Sequence, residues 1–129
     1  MIVTPTMLRS ILPECWSVET SSLWLPENPA RGQCDVTSLA AHDIFGGEIL
    51  KTRLPARWHF YNWIGADRHD LTDSQFASSI IYDDARSTRE EALAGATLRQ
   101  YTALRNSVAR RILALRLRER PSSLIRPTA

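Results

Sequence analysis

Between Cys34 and Phe45 the apolar residues Val36, Leu39, Ala40 and Ile44 recur at helical spacing, the mark of a helix with one buried face. Gly46 and Gly47 follow at once and stop it. The period then changes. In the stretch 47–54, GEILKTRL, Ile49, Lys51 and Arg53 alternate with Leu50, Thr52 and Leu54, which predicts a strand. Pro55 breaks it, and the aromatic-rich run Arg57 to Ile64 predicts a second strand. Residues 65–68 form a turn and His69 to Thr72 a third short strand, so the helix leads into an antiparallel meander.

The flanks read as helix and loop. Thr4 and Pro5 occupy the N-cap and first helical positions of a short helix that Pro13 ends near Leu12. Residues 17–22, SVETSS, hold too many hydroxyls for a firm helix, and Pro26 and Pro29 make 25–30 a loop that closes at Gly32. After the meander, LTDSQF carries a one-turn helix capped by Asp73 or Ser74, and IIYDDARS is loop or sheet edge. A single last helix opens at Ser87 or Thr88 and runs to about Arg118. Its first turn holds Glu90 and Glu91 and its last turns hold arginines, both signs suiting the helix dipole. Its apolar stripe is Leu93, Thr97, Tyr101, Leu104, Val108, Ile112 and Leu115. The expected architecture is α+β: one domain over 1–129, with a core at about 5–118 and a flexible tail at 119–129. A small antiparallel sheet carries the Cys34 helix on it, and the long C-terminal helix covers that sheet.

A chain of 129 residues, 43% hydrophobic and 23% charged, can bury a real core as one domain. It holds no apolar run long enough to span a membrane. The first residues lack the basic start and long apolar segment of a signal peptide, so a cytoplasmic location is expected. Two cysteines do not make a disulfide scaffold, and the absence of CxxC and HxxxH spacing argues against a zinc site. The charge is uneven. Residues 99–129 hold eight arginines against Glu119 alone, whereas residues 1–98 hold eight basic against thirteen acidic side chains. Such a tail can bind nucleic acid, but it reads better as the solvated face of a helix docked on an acidic body. The oligomeric state is not legible.

The chemistry centres on Cys34, His59 and Asp70. A cysteine thiol attacks an acyl carbon as the thiolate, which a helix N-terminus and a neighbouring imidazole favour. Cys34 sits in the first helical turn, where the dipole is expected to support its thiolate. His59 is placed to pair with it as general base and acid, and Asp70 to orient the ring. Asp67 is the runner-up for the acidic role and Asn62 a candidate orienting amide. The Cys34 amide, Gln33 or Asn28 would hold the oxyanion. Thr20 and Ser21 would line the cleft, and Arg31 would read a substrate carboxylate or phosphate. Cys15, followed by Trp16, is a rival nucleophile. Each residue also has a plain structural reading: a small buried thiol, a hydrogen-bonded core histidine, a hydroxyl-rich turn.

The stretches CWSVETSSLW, NPARGQCDVTSLAAHDIFGGEILKT, WHFYNWI, DLTDSQF and REEAL together resemble the YunG family of small bacterial proteins, over about residues 14–104. The order Cys, His, Asp on helix, strand, strand is similar to that of the papain-like and transglutaminase-like cysteine enzymes. That resemblance implies a papain-like core, and cysteine-dependent hydrolase or acyltransferase chemistry on the amide or ester bond of a peptide or small molecule. No cofactor is required. The alternative is a non-catalytic small-ligand-binding or regulatory module that retains the fold.

Overall fold

The computed structural model describes residues 2–119. Helix α1 spans Pro5–Cys15, α2 Cys34–Phe45, α3 Arg89–Ala94 and α4 Leu98–Arg118. Strands β1 (Glu48–Arg53), β2 (Trp58–Ile64), β3 (Asp67–His69) and β4 (Ala85–Arg86) form one antiparallel sheet in the order β3-β2-β1-β4. The architecture is α+β as the alternation of periods implied, with a fourth strand where IIYDDARS meets the free edge of β1.

The sheet has two different faces because successive side chains alternate. Ile49 and Phe60 join the apolar core with Val36, Leu39 and Ala40 of α2, and Asn62 donates its side-chain amide to the Ser38 carbonyl of α2 at 3.0 Å. His59 and Tyr61 point the other way and meet Phe76 and Tyr82 of the segment that follows β3. That segment is irregular but held down: the Thr52 hydroxyl donates to the Ile81 carbonyl and accepts from the Asp83 amide, at 3.0 and 2.9 Å. Asn62 is therefore a strut between sheet and helix and does not orient His59.

Four local expectations need correction. Helix α1 runs through Pro13 to Cys15; Leu12 and Cys15 are both buried, and their packing holds the last turn despite the hydrogen bond a proline removes. Cys15 thus closes a helix, where a nucleophile of this kind needs to open one. The third strand lies earlier than expected, because Ile64 pairs directly with Asp67 across the turn at Gly65 and Ala66 and Gly65 supplies a φ of 62°. The single last helix is two: α3 ends at Gly95 and α4 starts afresh on a capping box, with Thr97 accepting from the Gln100 amide and Gln100 accepting from that of Thr97. Finally, α4 packs chiefly against α2 and α1 rather than over the sheet. Residues 120–129, most of the expected tail, lie outside the described residues.

Gly47 makes the α2–β1 connection possible. Its φ is 72°, and a Cβ there would lie 2.2 Å from the Trp63 carbonyl oxygen. Gly47→Ala is expected to cost about 3 kcal/mol or more, since backbone cannot yield as a side chain can. At Gly65, where a Cβ meets nothing within 4 Å, Gly65→Asn is expected to cost less than about 1 kcal/mol. Urea melts of the two variants check the contrast.

Candidate functional site

The structure brings His59 and Asp70 together. The last β2–β3 pair is Asn62 with His69, so Asp70 leaves the strand one position further on, and its carboxylate crosses diagonally to His59. His59 Nε2 and Asp70 Oδ2 are 2.7 Å apart, and both side chains are buried. Asp70 has three further donors. The Tyr82 hydroxyl donates to Oδ2 at 2.7 Å, and the Thr72 amide and hydroxyl donate to Oδ1 at 3.2 and 3.3 Å. Asp67, the other acidic candidate, is exposed on β3 and takes no part.

The imidazole is held as well as bonded. Phe76 meets its ring edge-on at 4.9 Å and Tyr61 stacks at 5.9 Å. With Nε2 engaged by Asp70, the second nitrogen, Nδ1, is buried and has no hydrogen-bond partner. A buried polar atom left so costs about 1–3 kcal/mol.

Cys34 opens α2, as its position after the glycine turn predicted. β3 ends opposite Asn62, and beyond it the backbone amide of Phe60 points at the Cys34 sulfur. Sγ also lies 3.7 Å from Asp35 Oδ1, to which the thiol donates. No Cys34–His59 hydrogen bond is formed. The expected support of the thiolate by the helix dipole does not prevail either. Burial, then the charge of Asp35, push the thiol up to about 12 against the opposing Phe60 amide and Arg57. Asp35 is pushed up in turn to about 6, chiefly by its own burial. Its carboxylate is enclosed by the α3–α4 junction, where a Cβ on Gly95 would lie 2.6 Å from Asp35 Oδ2.

Cys34 and Asp35 lie in the wall of a cleft of about 510 Å³, with Arg53, Arg57, Trp58 and Phe60 on one side and Thr20 and Ser21 on the other. Two of the substrate-binding candidates, Thr20 and Ser21, are therefore at the cleft, and both are largely committed to the protein. The Thr20 hydroxyl donates to Gln33 Oε1 at 2.8 Å, and Ser21 Oγ accepts from the Leu23 amide at 3.1 Å. Gln33 is fully buried behind this wall, with its Nε2 unpartnered. Asn28 does not line the cleft; its amide donates to the Gln75 carbonyl at 3.3 Å. Arg31 is exposed and outside the cleft; its place beside Cys34 in the chain does not survive the turn at Gly32. The reading of the sequence missed Asp35, Arg53, Arg57 and Tyr82. Adjacency to Cys34 was a signal for Asp35, whereas nothing in the chain marked Tyr82. The described residues contain no cluster of three or more metal-ligating side chains, and no helix among them is long and apolar enough to cross a membrane.

Comparison with known proteins is consistent with the family resemblance. A family model described as YunG protein matches residues 4–113. A curated protein of Bacillus subtilis (strain 168), named Uncharacterized protein YunG, is 44% identical over 103 residues, which is 80% of this chain and 90% of that protein. No solved structure matches.

The raised Asp35 carboxyl has a measurable consequence. Below its ordinary value of 3.8 folded and unfolded chains both hold the proton. As pH rises towards about 6 only the folded chain keeps it, and above that the folded state bears the full cost of a buried carboxylate. Asp35→Asn is therefore expected to be increasingly stabilising, relative to wild type, from about pH 4 to about pH 7, by on the order of 2 kcal/mol at the upper end. Urea midpoints measured across that range check it; a difference that does not change with pH refutes the assignment.

Proposed function

The chain belongs to the YunG family, and we propose that it carries out cysteine-dependent acyl chemistry, as a hydrolase or acyltransferase acting on an amide or ester. The observation that supports this most is the state of His59, with one nitrogen on a buried carboxylate and the other buried and free, next in the chain to Phe60, whose backbone amide faces the Cys34 sulfur. A neutral imidazole that donates through Nε2 to Asp70 has its lone pair on Nδ1. That is the acceptor a thiol proton needs.

The raised thiol sets the order of events. A Cys34 near 12 is a thiol at rest, not a thiolate–imidazolium pair. Attack requires the Cys34 side chain to turn from Asp35 towards His59 as substrate enters. Sγ then bonds to the acyl carbon while its proton passes to His59 Nδ1, and Asp70 stabilises the imidazolium. The carbonyl oxygen becomes an oxyanion at the start of α2, where the Cys34 amide is the donor at hand and Gln33, whose Nε2 is buried without a partner, would have to turn towards the cleft to add a second. Collapse expels the amine or alkoxide, which takes the proton from His59. The resulting thioester passes its acyl group to water or to another acceptor. This reading includes a papain-like arrangement of Cys34, His59 and Asp70 around the end of the sheet.

A second reading, a non-catalytic module that binds a small ligand in the same cleft, is favoured by the burial of Cys34, which is 4% exposed. An acylation test separates the two. Incubation of the protein with p-nitrophenyl acetate, followed by peptide mass mapping, is expected to find acetyl on Cys34. His59→Ala is expected to reduce the rate about a hundredfold or more, and Asp70→Asn to reduce it less. Absence of acetyl on Cys34, or labelling that persists unchanged in His59→Ala, would leave the binding module.

A further inference from the structure

We infer that the Cys34 cleft selects small molecules bearing a carboxylate, and that Arg57, assisted by Arg53, grips that group. As a statement about substrate it rests on the acyl reading above; as a statement about the cleft it stands on the charges that line it.

Three charged side chains besides Asp35 line this cleft, and they are not equally free. Glu91 is held by Lys51 at 2.8 Å and by the Ser87 hydroxyl, so its charge is already answered. Arg53 and Arg57 have no carboxylate within ion-pair distance among the described residues. Arg57 is half-buried and gives one N–H to Gln75 Oε1 at 3.1 Å. A guanidinium has five such donors, so most of its capacity is unspent. Its charge is felt at both Cys34 and Asp35, which places it near the atom that would react. Arg53 lies over Trp58, with its guanidinium carbon 5.4 Å from the ring centroid, and Lys51 approaches the same ring at 4.3 Å.

A half-buried guanidinium with unspent donors, in a concave site with aromatic walls, is suited to bidentate recognition of a planar anion. Trp58 and Phe60 would cover the apolar part of the ligand. The Asp35 carboxylate on the same cleft weighs against a dianion, so a carboxylate fits better than a phosphate. The sequence offered Arg31 for this task. The fold moves it out to solvent and brings in two arginines from β1 and the approach to β2.

Titration calorimetry on the full chain carrying Cys34→Ala tests this without any chemical step. N-acetylglycine and N-acetylglycinamide differ only in the carboxylate, and inorganic phosphate serves as the dianion. The acid is expected to bind about tenfold or more tightly than the amide and than phosphate. Arg57→Gln is expected to remove that preference, Arg57→Lys to retain part of it, and Arg53→Gln to weaken it. Arg99→Gln, in the separate groove lined by α4 and Glu19, is expected to leave it intact. Equal binding of acid and amide, no saturable binding of either, tighter binding of phosphate, or a preference unchanged in both Arg57→Gln and Arg53→Gln would overturn the inference. Thermal melts of each variant identify any that fail to fold, and Arg53→Gln, whose side chain is exposed, then carries the test. Failure of Cys34 to acylate would refute the catalytic reading and leave the titration result standing.

Discussion

The buried carboxylate of Asp70 is the point to which the rest of the fold is tied. Its side chain accepts from His59 on β2, from Thr72 in its own turn and from Tyr82 in the segment beyond. Its carbonyl oxygen accepts from Arg9 of α1 at 2.8 Å. Three stretches of chain outside its own turn thus converge on one residue. A carboxylate taken out of water costs several kcal/mol unless such partners answer it. Each donor is therefore constrained in position, and the irregular segment 70–84, which lacks the repetitive hydrogen bonds of a helix or wide sheet, acquires a definite course over the second face of the sheet.

That constraint has a direct effect at the site. Asp70 fixes which nitrogen of His59 is engaged, and the aromatic rings of Phe76 and Tyr61 fix the plane. What remains is a single unpartnered ring nitrogen, Nδ1, held in a fixed orientation. Cys34 meets the sheet at the backbone of Phe60, the neighbour of His59 on β2. Two competing effects then meet at the sulfur. A helix N-terminus favours a thiolate by about 1 kcal/mol. Removal of the thiolate from water, with Asp35 alongside, disfavours it by on the order of 4 kcal/mol, the equivalent of a rise from 9.0 to about 12. Burial wins, and the group at rest is a neutral thiol in need of a base. A cysteine at a helix start is thus not activated by that position alone.

The basic end of the chain has a quieter role in the described residues. Arg111 pairs with Glu14 of α1, and Arg89, ahead of α4, pairs with Asp43 of α2 at 3.0 Å. These partly exposed pairs contribute little energy each. The first joins α4 to α1 and the second α3 to α2, while Tyr101, Leu104 and Val108 are the buried apolar residues of α4. The family match ends at residue 113, before the last turns of α4 and the arginines they carry.

The sequence by itself determined the elements whose period is unambiguous. Helix α2 and strand β1 stand where the 3.6 and 2 periods put them, because a packed face writes its burial into the order of residues; β2, buried on both faces, is marked by its aromatic residues. It also named His59 and Asp70, since a short hairpin leaves few acidic residues within reach of a strand histidine. Propensity misled at Pro13, which packing keeps within α1; at Gly95 and Thr97 a local stop and capping box divide the last helix across what reads as one apolar stripe. What only the tertiary structure decided were contacts between faces and loops that no local period records. Such are the course of 70–84, the engagement of Tyr82 with Asp70, the removal of Asn28 and Arg31 from the cleft and the arrival of Arg53 and Arg57. The chemical state of Cys34 belongs with them. A residue's neighbours in sequence set its dipole, but its solvation and its charged company depend on what the whole fold packs around it.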